Sequence, residues 1–219
     1  MKSLLKIAVI CLAPSVAFAE PDLHRGGLSF GMNSVDGDTT LFGTDYSYDG
    51  DSTTFGGYYF VTENVSIGLA KTDGDLGYGA TRDNLSCDVD GTSISASFHP
   101  KRTNYFTGEG NGYSFGIQST DSDVDCEDDY FYYNTVSSDD QHVTFGASRG
   151  LGDGLVLTAG FASNTDDFLD DRIFSFGFTK MLDSNFAMGL GISLAETAED
   201  SDGDNTDVTT LSFSGGYLF

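Results

Sequence analysis

The segment Leu211-Ser-Phe-Ser-Gly-Gly-Tyr-Leu-Phe219 decides the reading of this chain. Leu211, Phe213, Tyr217 and Phe219 share one parity, and Ser212, Ser214 and Gly216 share the other. Alternate residues of a strand face opposite sides of a sheet, so this strand has one apolar face and one face of small groups. The pattern recurs upstream. Phe186, Met188, Leu190, Ile192 and Leu194 oppose Ala187, Gly189, Gly191, Ser193 and Ala195. Val65, Ile67 and Leu69 alternate with Ser66, Gly68 and Ala70, and Phe174, Phe176 and Phe178 mark a further strand.

Extended backward, alternation predicts strands at 208–219, 186–195, 172–180, 155–163, 141–149, 105–118, 91–99, 65–73, 53–61 and 40–48. Each is close to the 9–11 residues that cross a bilayer as a tilted strand. The segment 27–35 also alternates, and is read as a plug-like lead-in or as the lower part of a long first strand. Ten strands are expected, with eight and twelve left open, because single-chain barrels of this kind have an even count.

Alternation alone does not separate a membrane barrel from a soluble sandwich. The connections do. Short ones (62–64, 100–104, 150–154, 181–185) alternate with long ones (74–90, 119–140, 164–171, 196–207), and only 49–52 breaks the order. Charge sorts the same way: Asp121, Asp123, Asp125, Glu127, Asp128 and Asp129 fall in one long connection, and Glu196, Glu199, Asp200, Asp202, Asp204 and Asp207 in another. Lys101, Arg102, Arg149 and Lys180 gather at the short-turn end.

The amino terminus reads as an export signal. Lys2 and Lys6 precede the apolar run Ile7 to Ala13, and Ala17-Phe18-Ala19 is a small-x-small cleavage site. Cleavage after Ala19 is expected, leaving 20–219 as one domain. Ile10 before Cys11 argues against lipidation. Gly, Ser, Asp or Asn interrupts every later apolar stretch, so no helical span is expected. With 28 Gly, 18 Phe, 11 Tyr and 3 Pro, composition favours β-structure. Without Lys2 and Lys6, 8 basic residues face 34 acidic ones, a net of −26 for the mature chain. Such a surface repels nucleic acid.

The terminal aromatic strand, Tyr217 and Phe219 included, resembles the carboxyl-terminal assembly signal of the bacterial outer-membrane β-barrel superfamily, and the chain is similar to small porin-like members along most of its mature length. The resemblance implies an all-β transmembrane antiparallel up-and-down barrel, with short periplasmic turns and long acidic external loops. It implies the outer membrane as location, lipid and lipopolysaccharide as surroundings, and the barrel-assembly machinery as a partner of the last strand.

Few residues carry chemistry. Cys87 and Cys126 are the only mature cysteines, both in external segments flanking the pair 91–99 and 105–118, and a disulfide between them is expected. Closing about 39 residues would contribute roughly 3–4.7 kcal/mol. Asp121-Ser-Asp-Val-Asp125 and Asp200-Ser-Asp-Gly-Asp-Asn205 place oxygen ligands at alternate positions. Neither has the Gly and Glu an EF-hand loop requires, which leaves weak divalent-cation bridging to lipopolysaccharide phosphates beside plain solvation. His142 lies near Ser138, Asp139 and Asp140, but adjacency in sequence is no relay, and neither catalysis nor a cofactor is expected. His24 and His99 suggest no role. Phe55, Tyr59, Tyr105, Tyr113, Tyr217 and Phe219 read as interface aromatics. Tyr130, Phe131, Tyr132 and Tyr133 form a ring run of undecided role.

The leading expectation is a passive porin-like channel. Inward residues are mostly Gly, Ser, Ala and Thr, with Asp45 and Lys180 as inward charges, and the acidic mouth favours cations. The alternative is a structural or adhesive surface protein acting through its external loops.

Overall fold

Period-two alternation can satisfy its backbone in lipid only if the sheet closes on itself, because an open edge leaves unpaired amides in hydrocarbon. A computed structural model, which describes residues 25–41, 44–79, 84–128, 134–165, 171–182, 185–197 and 205–219, has that closure. Ten antiparallel strands run in sequence order around one barrel: β1 Gly26–Leu41, β2 Thr44–Phe60, β3 Val65–Gly79, β4 Asn84–Lys101, β5 Asn111–Asp128, β6 Asn134–Gly152, β7 Leu155–Asn164, β8 Asp171–Met181, β9 Phe186–Thr197 and β10 Asn205–Leu218. β1 pairs with β10 to complete the ring. The expected signal segment and His24 lie outside the described residues.

The paired rungs fix the shape. Followed from Gly26 through Ile117 and Arg172 to Asp207, the register returns to β1 at Asp38, twelve residues above its start. Ten strands with that stagger tilt by about 40° and enclose a backbone radius of roughly 10 Å.

The strand count agrees with the sequence reading, but the partition differs. Residues 27–35 belong to β1, and the segments read as 40–48 and 53–61 are the top of β1 with β2, a single strand that runs through 49–52. The break in loop order at 49–52 therefore disappears. β5 starts at Asn111, not at 105. Several strands reach 15–19 residues, longer than a crossing requires, so most of 74–90 and 119–140 is paired strand rather than loop. The physical reason is a change of solvent along one face. Below, the outward positions meet lipid and hold Leu28, Phe30 and Met32; above, they meet water and hold Ser34, Asp36 and Asp38.

The same boundary encircles the barrel. Ile67, Leu69, Ile94, Phe115, Ile117, Phe176, Leu190 and Phe213 are exposed in the lower band. Along β9 this band spans Phe186 to Leu194, about 26 Å along the tilted strand and so about 20 Å of height along the barrel axis, near the 25 Å apolar height of such barrels once side chains are added. Above it, Asp51, Asp75, Asp88 and Asp125 occupy one continuous rung across β2–β5, and Asp73, Asp90 and Asp123 occupy the rung below. Asp121-Ser-Asp-Val-Asp125 is thus a strand rather than a loop, with its carboxylates outward and Ser122 and Val124 buried inward. The run 200–205 and the rings 130–133 fall largely outside the described residues.

Candidate functional site in the barrel interior

The lumen is organised in layers, and its base is the first surprise. At Pro100 the chain lacks an amide donor, the β4–β5 register shifts between Phe98 and Lys101, and residues 102–110 leave the ladder. They fold into the barrel rather than hanging below it. Tyr105 is 3% exposed and packs with Val156, Met181 and Leu218, with Tyr58, Phe106 and Ala187 against this cluster. These residues come from strands on opposite sides of the ring, so one phenol ring occupies the middle of the base. Burial pushes the Tyr105 hydroxyl pKa above its ordinary value, with a hydrogen bond from the Ser148 side opposing in part. The Arg102 guanidinium lies 3.5 Å from the centre of the Phe60 ring.

Glycine makes the seat. The Gly150 and Gly152 amides donate to the Gly110 and Gly108 carbonyls at 2.8 and 2.7 Å, and Asn104 pairs with Glu109 across the turn. A Cβ on Gly150 would stand 2.3–2.6 Å from backbone atoms of Gly108 and Glu109, so two main chains touch where no side chain fits. Gly108 and Gly110 have φ of 66° and 85°, values that L side chains rarely adopt. Thr103 Oγ1 lies 2.8 Å from Ser148 Oγ and ties the start of the turn to the wall.

Above the base is a chamber of about 140 Å³ lined largely by small hydroxyl residues, among them Ser95, Ser97, Ser114, Thr144, Ser175 and Ser193, together with Tyr58, His99, Gln118 and His142. Next comes a buried polar layer. Asn33 Nδ2 donates to Ser52 Oγ at 3.0 Å, Thr54 and Thr72 hydroxyls meet at 2.9 Å, and across the lumen Ser138 Oγ donates to Asp140 Oδ2 at 2.7 Å. Higher still, Val35, Tyr48, Leu76, Val89, Val124 and Val208 point inward, each 0–3% exposed. Cys87 and Cys126 face each other there as a cross-strand pair joined by a disulfide.

Other sequence-derived candidates separate. Ser138, Asp140 and His142 share the inner face of β6 while Asp139 faces out. The Ser138 hydroxyl donates to the carboxylate, the reverse of a nucleophile bonded to a histidine base, and Asp140 and His142 are 3% and 2% exposed. These side chains form part of a packed polar layer. Lys180 shares the outward parity of Phe178, and its ammonium donates to the Asp153 carbonyl, so it is not a luminal charge. The Asp45 side chain lies outside the described residues. Phe55, Tyr59, Tyr113, Tyr217 and Phe219 are exposed as expected of lipid-facing rings, whereas Tyr105 is not an interface residue at all. Phe219 closes the seam through backbone bonds with Arg25 and Gly26. Among the described residues no group of three His, Cys, Asp or Glu is placed to hold a metal ion.

The stopping turn was invisible as such in the sequence. The one signal present was glycine at alternate positions 150, 152 and 154 beside Gly108 and Gly110, a sign of close backbone approach.

The architecture now has counterparts. The translocator domain of the autotransporter NalP from Neisseria meningitidis superposes with a TM-score of 0.61 at 11% identity, over 100% of this chain and 96% of that one. An outer-membrane channel from Pseudomonas putida F1 gives 0.51 at 8% identity, over 95% and 100%. The outer-membrane protease OmpT from Escherichia coli gives 0.51 at 9%, over 94% and 100%. The chain has the outer-membrane β-barrel fold. With its apolar belt turned outward, the barrel presents a lipid-facing surface suited to the hydrocarbon of a bilayer. No protein-family model and no curated protein sequence matches it. A translocator, a channel and a protease share the fold, so function has to be argued from this barrel's own interior and walls.

Proposed function

We propose that this outer-membrane barrel works at the cell surface as a closed-lumen structural or adhesive protein, through its outer wall and external connections. The observation that carries the reading is the double obstruction of the lumen. Tyr105 and its turn fill the base, and the buried polar and apolar layers fill the top. The wall supplies the contact surface. A furrow of about 1140 Å³ runs from Met32, Leu211 and Phe213 in the belt to Asp51, Asp75 and Asp125 above it. Lipid and lipopolysaccharide would lie along this wall, with divalent cations shielding the carboxylate rungs from phosphates. Tyr217 and Phe219 would present the last strand to the barrel-assembly machinery.

Planar-bilayer recording tests the reading. The refolded barrel should give no conductance steps, and cell attachment should fall when residues 129–133 are replaced by a Gly-Ser turn. Regular ohmic steps from the native barrel would overturn it. The passive channel is the second reading, favoured by the uncharged hydroxyl chamber. Because the described carboxylates of β2–β5 point away from the lumen, they act on a cation at the mouth only through the wall, which weakens the electrostatic case for cation preference.

A further inference from the structure

We infer that the Arg102–Gly110 turn is a separable stopper, seated on the glycines of the β6–β7 turn, whose release opens the hydroxyl-lined chamber to the periplasm for small uncharged polar solutes. This goes beyond the surface reading, which requires only that the native lumen be shut.

Four observations support it. First, the turn belongs to neither ladder. It spans nine residues between Lys101 and Asn111, where the other periplasmic connections have two to four, and so has chain to spare for swinging. Second, both ends carry hinges: Pro100 with the register shift on one side, Gly108 and Gly110 in the left-handed region on the other. Third, the attachment to the wall is non-covalent and of a kind that can part without tearing the barrel. It includes two inter-turn backbone bonds, the Thr103–Ser148 hydroxyl pair, a Tyr105–Ser148 hydrogen bond, Arg102 on Phe60, and the packed rings of Tyr105 and Phe106. Fourth, the space behind the ring is lined largely by short side chains. Ser95, Ser97, Ser114, Ser175 and Ser193 leave a cavity beside the larger His99, Gln118 and His142. Hydroxyl, amide and imidazole groups, with no carboxylate, lysine or arginine among the described lining residues, suit a neutral solute that exchanges hydrogen bonds with water at little cost.

The test places one cysteine in the chamber, Ser175→Cys, in the full mature barrel reconstituted in phosphatidylcholine vesicles. The native Cys87–Cys126 disulfide leaves no other thiol. Hydroxyethyl methanethiosulfonate, small and neutral, reports access. Adding Gly150→Val, whose side chain collides with the Gly108–Glu109 backbone, should raise the modification rate at least tenfold. Adding Thr103→Cys with Ser148→Cys, oxidised across the 2.8 Å hydroxyl contact, should lower it at least tenfold below the unlocked protein. Normalised to a free thiol, the neutral reagent should outpace its trimethylammonium analogue. Equal rates in locked and unlocked barrels overturn the stopper, and this pair needs no Gly150 variant to fold. Equal normalised rates for the two reagents overturn the solute class.

Discussion

Truncating Tyr105 should loosen the base without unfolding the barrel. The ring is 3% exposed within the Val156, Met181 and Leu218 cluster, and its removal leaves a cavity that backbone on a closed ring cannot collapse to fill. Buried aromatic-to-alanine changes cost about 3–5 kcal/mol. Here most of that cost falls on the docked state of one turn, since the ladders hold the strands together independently. At 1.4 kcal/mol per factor of ten, the docked-to-undocked ratio should fall by roughly two to three and a half powers of ten. The Gly150 and Gly152 amides report this, because they donate to the Gly110 and Gly108 carbonyls and lose those partners when the turn leaves. Hydrogen exchange of the Tyr105→Ala barrel should therefore accelerate at those two amides by about 10²–10³. Amides of the β8–β9 ladder should keep their protection. Unchanged exchange at Gly150 and Gly152 would show that Tyr105 does not hold the turn, and the account of the base would be wrong.

Four further outcomes follow from the same physics. Because folded Tyr105 has its pKa raised above the unfolded value, its contribution to docking should be full below about pH 10 and decline only as pH rises toward the folded value; phenolate absorbance should show one fewer ionisation-resistant tyrosine in Tyr105→Phe than in the native barrel. Replacing both Cys87 and Cys126 with Ser should cost about 4 kcal/mol for a separation of 39 residues, read as a lower urea midpoint. Asp88→Asn interrupts the rung Asp51–Asp75–Asp88–Asp125 and should stabilise by a few tenths of a kcal/mol at low ionic strength, with the gain vanishing in high salt. Phe176→Arg, in the lipid-facing band, should destabilise folding into bilayers by about 2–4 kcal/mol, whereas Asp123→Arg above the band should not.

Much of the architecture was legible because the period of two is local. Phe186 to Ala195 states by itself which residues share a face, and Leu28, Phe30 and Met32 do the same for β1. Strand limits were less legible for a physical reason. Above the belt both faces of a strand can be polar, so Asp121-Ser-Asp-Val-Asp125 looks like a solvated loop until its partners Asp88 and Asp90 are found in register. The residues 49–52 failed the same way, since Gly50 between Asp49 and Asp51 resembles a turn but pairs with Leu76 in the ladder.

What the amino-acid order determined alone was an alternating, one-side-greasy chain that must close into a membrane barrel, with two cysteines positioned to join. What only the tertiary structure decided was the state of the interior. Tyr105 reads as an interface ring in sequence, and it becomes a stopper because Gly150, Gly152 and Gly154, more than forty residues away, let two backbones touch. Lys180 points outward because the β7–β8–β9 register puts it in line with Phe178. Whether a lumen is open or shut depends on contacts between strands far apart in the chain, and no local pattern records those distances.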